Sequence, residues 1–256
     1  MKLTEQQIYE KVANRELTED EALELIAGFN EQPQAPQQQA PAYMKTFVYD
    51  EDILKDHQIF GQQILMGVAH CSLAIEAAKA KYPDRVLHQM RKISFTDAIR
   101  VAASEHVQVA VTIEDKNGRI LFTNTYQESG QTQVRQTASG EFAFEPSTDI
   151  ARAKIDIQSL CKGASEHVSA DIFYSNQSSY GPSQFTLRQV FYVQNGVIGE
   201  IQLRPQMRSQ LKQYTIPPAL FDGVYVNSLF CASLDHFGND ACVPLFIKAI
   251  HINRFH

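Results

Sequence analysis

The chain has 256 residues, of which 44% are hydrophobic and 20% are charged, and its formal net charge at pH 7 is -6. This length and composition are typical of a soluble globular protein with one large domain or two fused small domains. The mildly acidic chain has no basic stripe, which argues against nucleic acid as a partner. No apolar run reaches membrane-spanning length, and the first residues lack the apolar core of a signal peptide. We therefore expect no membrane association and a cytoplasmic location.

Residues 1–30 predict a small helical hairpin. Thr4 and Gln7 form a capping-box pattern, and Thr18 and Glu21 form a second one. Each predicted helix is short and has one apolar stripe, so the pair must pack on itself or on a partner. Residues 31–44 are rich in Pro, Gln and Ala and predict a flexible linker. Such a segment suits a docking element between domains of a larger assembly, or equally a plain solubilising arm.

The stretch from residue 56 to residue 82 joins a histidine to a helix of small and apolar residues. The helix is predicted over Val68–Tyr82 and should be buried nearly all round. His57 and Gly61 lie before it, where glycine allows the chain to bend back over the helix start. Free amide groups at a helix N-terminus can receive negative charge. This stretch is therefore a candidate site that combines a titratable side chain with a helix N-terminus.

A run of strands follows this helix. Val107, Val109 and Val111 alternate with polar or small residues, as a sheet with one buried face requires. Asn117-Gly118 is a strong signal for a tight hairpin turn. The predicted strands are Val86–Phe95, Val107–Glu114, Arg119–Tyr126 and Thr132–Phe144.

The second half of the chain repeats this plan of strands around one helix. An Asn195-Gly196 hairpin joins two strands, and an apolar helix and a last strand follow. The predicted fold class is therefore α+β, with two antiparallel sheets that each wrap a central helix. A second half of this kind normally has further strands after residue 256, so we expect a truncated C-terminus. The predicted elements are Phe185–Val193, Val197–Leu203, the helix Ala219–Leu234 and the strand Val243–Ile252.

Three motifs, in this order along the chain, resemble those of polyketide synthase dehydratase domains. His57-x-x-x-Gly61 followed by Leu65-Met66-Gly67 resembles the motif HxxxGxxxxPG, with Met66 in the proline position. The resemblance implies a double hot-dog fold over residues 45–256, with the first hot dog at about 45–145 and the second at about 169–256. It further implies a domain of a modular trans-acyltransferase polyketide synthase.

The second half carries the other two motifs. Tyr180-Gly181-Pro182 resembles the motif YGPxF, and the segment PALFDG resembles the one that holds the catalytic aspartate, here Asp222. Taken alone, Asp222 is a charge favoured near a helix N-terminus and Tyr180-Gly181-Pro182 is a turn. Together with His57 they predict a catalytic site at the junction of the two hot dogs.

The resemblance implies that a 3-hydroxyacyl thioester loses water to give the 2-enoyl product. His57 is expected to act as the base and Asp222 as an acid kept protonated by apolar neighbours such as Leu220, Phe221 and Val224. No metal or redox cofactor is expected, because the sequence has neither a glycine-rich nucleotide loop nor a cluster of metal ligands. The resemblance implies that the substrate is carried on the phosphopantetheine of an acyl carrier protein. The other expected partners are further polyketide synthase domains and a second copy in a homodimer. The residues expected to contact substrate are Met66, Gly67, Tyr180, Gly181, Pro182 and Val226.

Three departures from the family pattern leave alternatives open. Met66 replaces a proline, Gln184 stands where phenylalanine is expected, and Val226 stands where the family commonly has a glutamine or histidine that orients the acid. One alternative is an enoyl isomerase that moves a double bond from the 2,3 to the 3,4 position, which needs the histidine but no acid. Another is a noncatalytic domain used for dimerisation or docking. A further histidine, His70, is expected to be a satisfied core or pocket residue.

Overall fold

The computed structural model describes residues 40–252 with six gaps, together with ten residues that precede residue 40. Contacts divide the chain into two units, Met1–Ala40 and Pro41–His256. None of the described helices is long and apolar enough to cross a membrane. The described residues are 7–8, 11–12, 14, 16–18, 21–22, 40–59, 61–103, 105–128, 130–144, 156–175, 180–231 and 244–252.

The first unit contains the second of the two capping boxes. The Thr18 amide donates to the Glu21 carboxylate at 2.8 Å, and the Glu21 amide donates back to the Thr18 hydroxyl at 3.3 Å. Ile8 and Ala22 are fully buried and form one hydrophobic cluster within this unit. Residue 4 of the first capping box and residues 31–39 of the predicted linker lie outside the described residues. The hairpin and linker therefore stay predictions.

The first sheet of the second unit has six antiparallel strands in the order β1-β5-β6-β7-β4-β11. The Asn117-Gly118 turn between β5 and β6 has φ angles of 55° and 79°, the left-handed values that a tight hairpin requires. The strands are β1 Tyr43–Val48, β4 Gln89–Phe95, β5 His106–Lys116, β6 Arg119–Glu128, β7 Val134–Ala143 and β11 Phe246–His251.

Between β1 and β4, the chain forms a short helix α1 (Asp52–Lys55) and a two-stranded hairpin of β2 (Gln58–Ile59) and β3 (Gln62–Gln63). The central helix α2 (Ala69–Lys81) then packs against β1, β5 and β6. The small residues of α2 are fully buried except for Ala80 near its end, so the sheet approaches the helix closely on several sides. The prediction of a helix buried nearly all round is confirmed.

The second sheet has three antiparallel strands in the described residues, in the order β10-β9-β8. Its central helix α5 (Pro218–Leu229) packs against β9 and β10, and also against α2. Two central helices, each against its own antiparallel sheet, confirm the predicted double hot-dog fold. The other elements are α3 Ile157–Lys162, β8 Glu166–Ser169, α4 Asp171–Ser175, β9 Leu187–Val193, β10 Gly196–Ile201, and the 3-10 helices Pro182–Gln184 and Pro205–Lys212.

The last strand belongs to the first sheet. We predicted that the strand over Val243–Ile252 would complete the second hot dog, but β11 pairs with β4, with Ile247 opposite Ile93. Strand β11 occupies the edge of β4 on the side away from β7, and its partly buried apolar residues Ile247 and Ile250 pack against the first core. This pairing satisfies the backbone hydrogen-bonding groups at that edge of β4. The alternation of apolar and polar residues in the sequence does not specify which sheet edge a strand joins.

Candidate active site

The β2–β3 hairpin fixes the position of His57. Gly61, at the turn of this hairpin, has a φ of 73°, a left-handed value that glycine adopts without strain. The turn brings Ile64 back beside His57, so that the Ile64 amide donates to the His57 carbonyl oxygen at 3.2 Å. The ring Nδ1 of His57 donates in turn to the Ile64 carbonyl oxygen at 2.7 Å. Two bonds to one residue thus hold both the backbone and the ring of His57.

These contacts also determine the protonation of His57. Because a carbonyl oxygen can only accept, Nδ1 carries the proton and Nε2 keeps its lone pair. The ring is 6% exposed, and burial lowers its pKa, although the hydrogen bond to Ile64 opposes that shift. His57 is therefore a neutral imidazole at neutral pH, with Nε2 as a basic atom.

The Tyr180-Gly181-Pro182 segment lies directly beside this histidine. The rings of His57 and Tyr180 meet edge to face, with their centroids 5.7 Å apart. The Gly181 amide donates to the Asp56 carbonyl oxygen at 2.6 Å, and the Ser183 amide donates to the Asp56 carboxylate at 2.9 Å. Pro182 begins the 3-10 helix Pro182–Gln184, which packs against both α1 and α5. Asp56, the residue before His57, thus links the second half of the chain to the segment that carries His57.

Helix α2 begins soon after Ile64 in the chain. Gly67 lies one residue before its N-cap Val68, and a Cβ at Gly67 would come within 3.2 Å of Pro244. The amides of Gly67 and Val68 have no acceptor within the part of the chain that the structure describes. Met66 is 1% exposed and belongs to the main hydrophobic core. The helix start thus offers unused amide donors, whereas Met66 packs in the core around it.

Asp222 lies in the first half of α5 and is almost completely buried. Its side chain is 2% exposed, and its Oδ2 has no hydrogen-bond partner in the described residues. Burial raises the pKa of Asp222 to about 7. Phe221 is buried as predicted, but Val224 is 53% exposed, so the prediction that Val224 shields the acid is wrong. The helical period turns Val224 to the outer face of α5.

Tyr174 lies beside Tyr180 and within electrostatic reach of Asp222. The Tyr174 ring lies edge to face against Tyr180, with centroids 5.8 Å apart, and Tyr180 contacts His57. Burial raises the pKa of Tyr174, and the charge of Asp222 adds to that shift. The structure therefore brings His57 and Tyr180 into direct contact, and Asp222 is near enough to Tyr174 for its charge to affect the pKa of that tyrosine. Sequence reasoning missed Tyr174, whose one signal was the Phe173-Tyr174 aromatic pair just before the tyrosine motif.

The residues that depart from the family pattern are all buried. Val226 is fully buried in the second core cluster, one turn after Asp222. Gln184 is also fully buried, and its Oε1 lacks a donor among the described residues. His70 is buried in the first hot dog, and the Asn124 side chain donates to its Nδ1 at 3.2 Å. His70 is thus the satisfied core residue that we predicted.

Comparison with known proteins identifies the family. A family profile described as "Polyketide synthase dehydratase domain" matches residues 30–127, and one described as "Polyketide synthase dehydratase N-terminal domain" matches residues 153–256. The chain is 24% identical to polyketide synthase PksN of Bacillus subtilis (strain 168) over 224 residues, which are 82% of this chain and 4% of PksN. It thus spans only a small part of that relative.

Solved structures share the fold. The dehydratase domain from the CurF module of the curacin polyketide synthase matches with a TM-score of 0.70 and 19% identity, over 82% of this chain and 77% of that chain. A trans-acyltransferase polyketide synthase enoyl-isomerase matches with a TM-score of 0.64 and 18% identity, over 82% of this chain and 79% of that chain. The two profiles together match most of the chain, on either side of the junction between the hot dogs. The chain belongs to the polyketide synthase dehydratase domain family.

Proposed function

We propose that this domain removes water from a 3-hydroxyacyl thioester, carried on an acyl carrier protein, to give the 2-enoyl thioester. The observation that carries the proposal is a pair of buried groups held in opposite states. His57 is neutral with a bare Nε2, and Asp222 has a pKa raised to about 7, so that it is protonated in a substantial fraction of molecules. Elimination of water needs such a pair, one group to take a proton and one to give a proton.

His57 Nε2 takes the proton from C2 of the substrate, next to the thioester carbonyl. Its Nδ1 keeps its own proton and donates a hydrogen bond to the Ile64 carbonyl oxygen throughout. The imidazolium formed in this step is stabilised by the same bond, which strengthens as the ring becomes charged. The electrons of the C2–H bond first develop as negative charge on the thioester oxygen and then form the C2–C3 double bond.

The amides of Gly67 and Val68 are suited to stabilise the negative charge that develops on the thioester oxygen. They lie at the N-terminus of α2, where the helix dipole adds to their attraction for an oxyanion. Asp222 gives its proton to the 3-hydroxyl group as the C3–O bond breaks, so that water leaves and Asp222 becomes a carboxylate. The enzyme returns to its starting state when the proton on His57 is passed back to Asp222 through solvent.

The direct test is mass spectrometry of a 3-hydroxyacyl carrier protein incubated with the purified domain. We expect the 3-hydroxyacyl carrier protein to lose the mass of one water in the forward reaction. When the 2-enoyl carrier protein is supplied, we expect it to gain the same mass. An unchanged 3-hydroxyacyl form in the presence of folded protein would contradict the proposal.

The pH dependence of kcat/KM follows from the two pKa shifts. Asp222 must be protonated, so activity should fall as pH rises through its pKa of about 7. His57 must be neutral, so activity should also fall as pH drops through its lowered pKa. We expect a bell-shaped profile whose alkaline limb lies near neutral pH. The alkaline limb should vanish in Asp222→Asn, and its persistence there would assign the limb to another group.

An enoyl isomerase is the second candidate function. The observation that favours it is the absence, in the described residues, of a hydrogen-bond donor to Asp222 Oδ2, together with the apolar Val226 one turn away. Migration of a double bond needs only His57 to take a proton from C4 and return one to C2. In deuterated water, deuterium entering C4 of a 2-enoyl carrier protein without hydration would establish the isomerase. If neither substrate changes, the domain serves dimerisation or docking.

The remaining parts of the proposal concern the setting of the domain. The fold-level likeness to a trans-acyltransferase polyketide synthase enoyl-isomerase supports a place in a modular assembly line of that type. The partners in such an assembly are an acyl carrier protein, neighbouring synthase domains and a second copy of the domain in a homodimer. No resident metal or redox cofactor takes part in the steps above, and the expected location is the cytoplasm.

A further inference from the structure

The carboxyl group of Asp56 accepts a hydrogen bond from the second hot dog. Its Oδ2 accepts the Ser183 amide at 2.9 Å, although the two residues are 127 positions apart in the chain. Ser183 is 1% exposed, and a buried amide that loses its acceptor is costly. Asp56 is also the residue immediately before His57. The side chain that satisfies the Ser183 amide is therefore joined covalently to the proposed base.

The sequence around Ser183 explains why its amide needs an acceptor from another part of the chain. Ser183 is the second residue of the 3-10 helix Pro182–Gln184, whose N-cap is Gly181. Because glycine has no side chain to cap the helix and proline has no N–H, the Ser183 amide is the first donor of this helix. The Asp56 carboxylate takes the place of the missing N-cap side chain. A Cβ at Gly181 would overlap the Asp56 carboxyl group, so the glycine also leaves room for this contact.

The backbone of Asp56 is bound to the second hot dog as well. The Gly181 amide donates to the Asp56 carbonyl oxygen at 2.6 Å. Next to this bond, His57 and Tyr180 lie opposite each other in an antiparallel bridge, and their rings meet edge to face. The bonds to Ile64 hold His57 only within the first hot dog. Relative to the second hot dog, the position of His57 therefore depends on Asp56 and on the contact with Tyr180.

We propose that Asp56 is a positioning residue for His57. Its carboxylate holds the 3-10 helix Pro182–Gln184, and this helix packs against α5, which carries Asp222. The base and the acid lie in different hot dogs and can act on one substrate only if their spacing is kept. The Asp56 carboxylate keeps that spacing at the end of the site where His57 lies. This inference rests on the proposed role of His57 as the base.

The test compares Asp56→Ala with Asp56→Asn. Alanine removes the acceptor, whereas the side-chain oxygen of asparagine can still accept the Ser183 amide without carrying a charge. We expect Asp56→Ala to lower kcat for dehydration about tenfold with KM nearly unchanged, since a displacement of about 1 Å at a catalytic group can cost about a hundredfold. Asp56→Asn should keep most of the wild-type kcat. A rescue of this kind separates the hydrogen bond from the charge.

The matched control is Asp156→Ala. The Asp156 carboxylate caps helix α3 by accepting the Ser159 amide at 3.0 Å, so alanine there removes the same kind of bond. This variant should lose stability in chemical denaturation, as a lost helix cap does, but should keep the wild-type kcat.

Three outcomes would contradict the proposals in different ways. A folded Asp56→Ala variant with wild-type kcat would overturn the inference alone. An Asp56→Asn variant as impaired as Asp56→Ala would also overturn it, because the charge and not the bond would then be what matters. A wild-type domain without dehydratase activity would overturn the proposed function, and this inference with it.

Discussion

Replacing His57 with alanine is expected to lower kcat/KM for dehydration by about 10²- to 10⁴-fold, the usual contribution of a general base. His57 is 6% exposed, its Nδ1 is committed to the Ile64 carbonyl oxygen, and Nε2 is the atom that takes the proton in the proposed mechanism. Both proposed reactions, dehydration and isomerisation, depend on this base. Loss of water from a 3-hydroxyacyl carrier protein and deuterium exchange into a 2-enoyl carrier protein, each followed by mass spectrometry, should therefore fall together.

The matched control for this variant is His167→Ala. His167 is an exposed histidine of β8 that stacks on Phe191, and its removal should leave both reactions at the wild-type rate. Asp222→Asn separates the two reactions: dehydration should fall steeply, while exchange that depends on His57 continues. Wild-type turnover by a folded His57→Ala variant would rule out both catalytic functions as they are assigned to this histidine.

The sequence predicted the local elements well where one pattern decides them. The small apolar residues that predicted a helix over Val68–Tyr82 form α2, and Asn117-Gly118 forms the predicted hairpin turn. Both features depend on residues close together in the chain, whose preferences act before any tertiary contact. The motif order, through the resemblance that it carried, also gave the double hot-dog fold.

The parts that the sequence did not predict depend on which elements meet in space. Strand β11 has an ordinary strand composition, and only its pairing with the edge of β4 places it in the first sheet. Val224 was predicted to face the acid, but the rotation of α5 exposes it. Tyr174 and Asp56 gave almost no signal, because their importance comes from contacts with Leu187 and with Ser183, far along the chain.

Asp56 leads to the second large effect, which is expected for Gly181→Ala. A Cβ at Gly181 would lie 2.4 Å from the Asp56 carboxyl carbon and 2.7 Å from the Asp56 Cβ. Rotation of the Asp56 side chain can move the carboxyl group but not the Cβ, so the two backbones must separate. That separation breaks the 2.6 Å bond from the Gly181 amide to the Asp56 carbonyl oxygen.

Two consequences should follow from this clash. The free energy of unfolding should fall by about 1–3 kcal/mol, as for other overpacked sites, which is measurable by chemical denaturation. Tyr180 should move away from His57, and a displacement of about 1 Å at such a site can lower kcat about a hundredfold. Gly163→Ala is the control, because a Cβ there would lie 3.4 Å from the nearest atom, the Ser159 carbonyl oxygen, which is an ordinary contact.

The comparison of these two glycine variants tests whether the junction itself aligns the catalytic residues. If Gly181→Ala lowers kcat far more than its loss of stability alone would reduce the folded fraction, the contact between Asp56 and Gly181 sets the geometry of His57. If Gly181→Ala is as stable and as active as Gly163→Ala, the two hot dogs do not meet at this contact as described. The hairpin contacts with Ile64 would then hold His57 alone, and the second half of the chain would contribute only Asp222 and the residues around it.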